Sequence, residues 1–170
     1  MRSEHNDYST RGGPMKAISR CLIALVFVSV CFGVTATQAG ANPACVSIKA
    51  KGIGHSITAD TTTAQITGAG LPLGTTAGGP FVVGGAPPVL SLTGPVVFSA
   101  KIGPFAVGTL TSPQTGSLNV TNGAFTSSGP ITASTGILSG LGGNLTFTGV
   151  QNLTTGTFTE NVTGQLCARH

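Results

Sequence analysis

Groups able to take or give a proton near neutral pH are scarce in this chain, which carries four acidic residues and three histidines in 170. Past position 41 they reduce to His55, Asp60, Glu160 and the terminal His170. A Ser-His-Asp set would have to draw on His55 and Asp60, and no serine sits in a Gly-x-Ser-x-Gly elbow or a comparable context. The more specific signal is one of parity. Alternation through Ile53–Thr58 puts His55 on the face of Ile53 and Ile57, and alternation through the last apolar segment puts Glu160 on the face of Phe158 and Val162. Both side chains are therefore expected to point inward. Buried ionisable groups need partners, and these two are each other's candidate. The chemistry would be a polar anchor, or an acid–base pair, for a ligand in an apolar pocket. A purely structural buried pair, or a β-bulge turning one residue outward, would give the same pattern.

What brings the pair together is the cysteine arrangement. With Cys21 and Cys31 in the leader expected to be removed, Cys45 and Cys167 lie near the two ends of the mature chain, with His55 ten residues after the first and Glu160 seven before the second. Two cysteines in an exported chain read most simply as one disulfide, which would make the first and last strands neighbours. A zinc site would need four ligands, and only His55 and His170 could join the two thiols, so no metal is expected. Gly-rich triplets lack the strand–loop–helix context of a nucleotide site, so no cofactor is expected either.

The elements that must carry these residues are strands. Gly, Pro and dense β-branching interrupt every stretch long enough for a helix. Period-two alternation bounded by Gly, Pro and Asn recurs at Val46–Lys49, Ile53–Thr58, Ala64–Gly68, Phe81–Val83 with Val89–Leu92, Val96–Ile102, Phe105–Leu110, Ser117–Thr121, Ile131–Ala133, Asn144–Thr148 and Thr157–Leu166. One packed and one wet face imply antiparallel pairing. The short, even spacing predicts an all-β fold, a small antiparallel β-barrel of about eight strands, with a sandwich or solenoid as alternatives. The Gly/Pro-rich segment 70–95 reads as a long loop or irregular edge.

The N-terminus carries an export signal. The apolar run 21–34 follows Lys16 and Arg20 and precedes the small residues Ala36–Ala41, the pattern of a signal peptide cleaved after Ala41. A transmembrane anchor needs about 18 or more apolar residues, and this run is shorter and holds Ser29 and Gly33. Glu4 and Asp7 suit no signal n-region, so translation is expected to begin at Met15. The expected organisation is a removed leader over 1–41 and a secreted or periplasmic β domain over 42–170, with no transmembrane anchor left after cleavage. That domain, of about 130 residues, suits a single core. Its cations Lys49, Lys51, Lys101 and Arg169 stand against Asp60 and Glu160. Nucleic-acid binding needs clustered cations and stacking aromatics, and this domain has scattered cations and neither Trp nor Tyr.

The stretch Thr135-Gly-Ile-Leu-Ser-Gly-Leu-Gly-Gly-Asn-Leu-Thr-Phe-Thr-Gly149, followed by Asn152-Leu-Thr-Thr-Gly-Thr-Phe and Val162-Thr-Gly-Gln-Leu-Cys167, resembles the dirigent and allene oxide cyclase barrels and their small secreted bacterial relatives. The resemblance covers the last third of the chain. It implies an eight-stranded antiparallel barrel around an apolar cavity, trimeric in many plant members, which leaves a homo-oligomer open here. Those cavities use acidic, arginine or tyrosine groups on phenolic or epoxide substrates. Here Tyr is missing past the leader and the sole Arg is Arg169, so the family's activity is not carried over.

Four Asn-x-Thr sequons, at Asn119, Asn144, Asn152 and Asn161, would be glycan acceptors in a eukaryotic secretory pathway. A Thr-rich strand also produces such triplets by chance. Two function classes follow. One is a secreted, non-catalytic barrel module binding a small apolar molecule. The other is a cell-surface or matrix structural or interaction protein working through its Thr-rich β face. Closure of the sheet separates them, since a solenoid would leave flat faces and show a constant repeat interval that this sequence lacks.

Overall fold

The computed structural model describes residues 44–169. The leader, its cleavage after Ala41 and the terminal His170 lie outside the described residues. Every regular element among those described is a strand, ten in all: β1 (Cys45–Ser56), β2 (Thr62–Ala69), β3 (Gly74–Gly78), β4 (Val82–Ala86), β5 (Val89–Ile102), β6 (Phe105–Asn119), β7 (Ala124–Pro130), β8 (Ala133–Gly136), β9 (Leu141–Gln151) and β10 (Thr157–Ala168). All pairings are antiparallel.

Eight strands close into a barrel in the order β5-β3-β2-β1-β10-β9-β7-β6, with β6 returning to β5. The two remaining strands are outriggers, β4 on β5 and β8 on β6. The sheet is thus a barrel rather than a sandwich or a solenoid. The first and last strands pair along their whole length, and Cys45 and Cys167 face each other at one end of that ladder, disulfide-bonded with their Cα atoms 4.1 Å apart.

The segment 70–95, expected to be a long loop or irregular edge, is strand for most of its length: β4 and the start of β5 overlap the alternation at Phe81–Val83 and Val89–Leu92, and β3 was not expected. The prolines of this segment cost the ladder nothing. Pro95 on β5 lies directly opposite Pro113 on β6. On its far side each proline meets an interruption in the neighbouring strand: the gap between Gly78 and Val82 beside β5, and the gap between Pro130 and Ala133 beside β6. A missing N–H at such a gap removes no ladder bond. Strand β6 runs straight through Pro113, beyond its expected end at Leu110, and β7 occupies a segment where no strand was expected.

The core is unevenly filled. Ile48, Ile66, Phe98, Leu110, Ile131, Leu145 and Val162 are fully buried, and Leu71, Leu138 and Leu166 pack with them. Each large apolar side chain so buried contributes roughly 1.5–3 kcal/mol relative to exposure. Most of these residues lie toward the disulfide end of the barrel. Arg169 helps cover that end, its guanidinium donating to the carbonyls of Ile131 and Thr132. Along β1 the inward row shrinks from Ile48 through Ala50 to Gly52 and Gly54 as the strand runs away from the disulfide. The other end is hollow.

Candidate functional site

A cavity of about 180 Å³ opens at the end of the barrel remote from the disulfide. It is bounded by the end of β1 and the start of β10, and by the mouth-side halves of β5, β6, β7 and β9. Four of the six described phenylalanines line it: Phe81, Phe125, Phe147 and Phe158. Phe125 and Phe158 meet edge to face, with centroids 5.8 Å apart and planes at 90°. Such a pair contributes about 0.5–1.5 kcal/mol beyond its buried area and fixes the ring positions.

Three buried polar side chains line the cavity, Thr76 on β3 and two longer ones, Glu160 and Gln114. Glu160, on the inward face of β10 between Phe158 and Val162, is 8 % exposed. Its cross-strand neighbours are both glycines, Gly52 on β1 and Gly149 on β9. The space is reserved for the carboxyl group: a Cβ at position 52 would sit 2.5 Å from Glu160 Oε1 and 2.6 Å from its Cγ. Glu160 Oε1 is buried without a hydrogen-bond partner. Burial pushes its pKa from 4.5 up to about 7, because desolvation disfavours the charged form.

The other long polar side chain is Gln114 on β6, 1 % exposed. Its Nε2 donates to Ser112 Oγ at 2.8 Å, and that hydroxyl donates to the carbonyl of Pro130, also at 2.8 Å. Ser112 has a single proton and spends it on Pro130, so it can only accept from Gln114. This chain fixes the amide orientation and leaves Gln114 Oε1 buried and unpartnered. At the rim, Gln151 Nε2 donates to Ser56 Oγ at 2.8 Å, and Asp60 stands on the β1–β2 connection.

The expected pairing of His55 with Glu160 does not occur. Glu160 points inward as its parity predicts, but His55 is exposed on the outer face of β1, opposite Thr157 of β10 and Thr63 of β2. The parity of β1 is the reverse of the one Ile53 and Ile57 imply: Ile53 is 72 % exposed, and the inward residues are Ile48, Ala50, Gly52 and Gly54. Glycine carries no hydropathic signal, and here it marks the inside. The volume that Gly52 and Gly54 leave is taken by Glu160 and Phe158 reaching across from β10. His55 lies instead beside a shallow outer groove with Lys51 and Thr159.

Gln114 lies outside the expected strands, because the alternation at Phe105–Leu110 stops short of Pro113. Alternation carried through Pro113 aligns Leu110, Ser112, Gln114 and Leu118 on one face, which would have identified it. Of the sequons, Asn144, Asn152 and Asn161 are exposed and Asn119 is half-buried. Asn119, Asn144 and Asn152 use their side-chain carbonyls to accept backbone N–H groups. Comparison with protein-family models, with curated proteins and with solved structures finds no match to this chain.

Proposed function

We propose that this protein is an exported ligand-binding barrel that takes a small molecule into its mouth cavity. The observation that carries the reading is a pair of buried polar atoms, Glu160 Oε1 and Gln114 Oε1, left without partners in a mainly apolar cavity lined by four phenylalanines. An unmade buried hydrogen bond costs about 1–3 kcal/mol, so such groups mark places where something else supplies the partner. Apolar side chains would seat the body of the ligand, and the two polar groups would engage its head. The size sets a limit: a cavity of about 150 Å³ accommodates a benzene-sized molecule, so the ligand is one ring or a short branched chain, not an extended lipid.

Export is supported by the apolar run 21–34 with its small-residue ending and by the Cys45–Cys167 bridge, which suits an oxidising compartment. The closed eight-stranded barrel around an apolar cavity also fits the resemblance to the dirigent and allene oxide cyclase barrels. The chemistry of those proteins is not part of the proposal. A catalytic reading has one observation in its favour, since a carboxyl group titrating at about 7 suits proton transfer. Turnover of a bound compound, abolished in Glu160→Gln, would favour it over binding alone.

The test uses Leu92→Trp. Leu92 lines the cavity mouth, and the chain has no tryptophan of its own. Ring-sized compounds should bind the parent protein saturably by ligand-observed NMR, and the indole should block them. Binding that survives Leu92→Trp undiminished would place the ligand elsewhere.

A further inference from the structure

We propose that the cavity selects a small primary or secondary amine, bound as its ammonium ion, with an apolar body no larger than about one aromatic ring. The inference deepens the ligand-binding reading and rests on it. Its basis is the polarity of what the cavity lacks. Both buried atoms without a partner are oxygens, and the bond to the Ser112 hydroxyl holds Gln114 so that its carbonyl oxygen is the amide atom left without one. A ligand that satisfies both must bring donors. A carbonyl compound could take a proton from neutral Glu160, but it would leave Gln114 Oε1 unsatisfied.

Charge narrows the class further. Among the described residues no Lys, Arg or His lines the cavity, and the two titratable groups that do are Glu160 inside and Asp60 at the rim. The residues opposite Glu160 on the two neighbouring strands, Gly52 and Gly149, carry no charge, and neither do Ile66 and Phe125 beside those glycines. An anionic ligand would face a carboxyl group with no compensating cation. An ammonium ion offers two or three N–H donors, supplies the missing counter-charge, and enters a cavity lined by four phenylalanines. Charge-assisted hydrogen bonds and cation–π contacts are both stronger in such a desolvated site. A neutral alcohol offers one donor and no charge.

Ammonium binding requires the ionised carboxylate, so it is linked to proton release. Because Glu160 titrates at about 7, the affinity for an amine that remains charged should rise between pH 5 and 8 and then level off.

The experiment is calorimetric titration of the oxidised protein with four probes of one shape: benzylamine, benzyl alcohol, benzoate and toluene. The expected result at pH 8 is benzylamine at least about tenfold tighter than benzyl alcohol, with benzoate weakest. Glu160→Gln should abolish the amine preference and its pH dependence. Gln114→Leu, which removes the other acceptor, should weaken benzylamine about two- to tenfold, and it serves as the test if Glu160→Gln does not fold. Equal binding of toluene, alcohol and amine, or tightest binding of benzoate, would overturn the amine assignment and leave the cavity-binding reading standing. Failure of all four probes to bind would overturn both.

Discussion

Raising the pH from 4.5 to 8 should destabilise this protein, and Glu160 should be the cause. In the unfolded chain the Glu160 carboxyl ionises near its ordinary value of 4.5, whereas in the folded barrel burial holds it protonated up to about 7. Below 4.5 both states carry the proton and Glu160 contributes no pH dependence. Between 4.5 and 7 the folded state keeps a proton that the unfolded state has released, so stability falls as pH rises. Above 7 both states are ionised and the penalty is constant. At about 1.4 kcal/mol for each tenfold change in the proton equilibrium, the loss across the window is on the order of 3 kcal/mol. Urea unfolding followed by far-ultraviolet circular dichroism, at fixed ionic strength and with the disulfide intact, would measure it. With a slope of about 1–3 kcal/mol per molar urea, the midpoint should fall by roughly 1–3 M. In Glu160→Gln this decline should vanish, the variant matching the parent in acid and exceeding it at pH 8. In His55→Gln the decline should persist, because His55 lies on the outer face, away from the cavity. A parent stability that is flat or rises with pH would refute the reasoning. So would a decline that survives in Glu160→Gln.

Two further substitutions test the frame around the site. Removing the Cys45–Cys167 bridge, which spans 122 residues, should lower stability by about 4–5 kcal/mol on the chain-entropy account, read as a drop in urea midpoint for Cys45→Ala/Cys167→Ala; an unchanged midpoint would contradict it. Gly52→Ala should destabilise by about 1–3 kcal/mol, because its Cβ would meet Glu160 Cγ at 2.6 Å and Ile66 Cδ1 at 2.8 Å. Combining it with Glu160→Ala should recover part of that loss in a double-mutant cycle, and strict additivity would show that the two residues do not compete for space.

The strand character of the domain, the disulfide and the inward face of Glu160 were legible because side chains carry them. Phe158, Glu160 and Val162 alternate cleanly with Thr157, Thr159, Asn161 and Thr163, and the barrel respects that alternation. What was illegible was written in residues without a strong signal of their own. The inner face of β1 is Gly52 and Gly54, so the visible apolar parity, Ile53 and Ile57, belonged to the outside and drew His55 with it. Strand β3 was hidden by its glycines and the run of β6 by Pro113, residues that ordinarily end strands. Here Pro95 and Pro113 are tolerated because each faces a gap in its outer neighbour, which is a property of the closed sheet and not of the local segment.

The same residues explain why a cavity exists at all. A closed barrel of eight strands has nearly the same girth at both ends, so its interior is full only where the inward side chains are large. Toward the disulfide end Ile48, Leu110, Ile131 and Leu145 fill it. Toward the mouth the inward rows of β1 and β9 pass through Gly52, Gly54 and Gly149 before Ser56 and Gln151 at the rim, and the volume is shared between rings and polar side chains. A leucine at position 160 would be apolar and of similar size, and it would bury no ionisable group. In its place stands a carboxyl group whose burial disfavours its charged form and raises its pKa to about 7, with its cross-strand positions cleared by Gly52 and Gly149. Packing gains nothing from that arrangement. A ligand head that brings donors to Glu160 and Gln114 would recover the loss, which makes the instability of the empty site and the selectivity of the filled one two consequences of the same pair of residues.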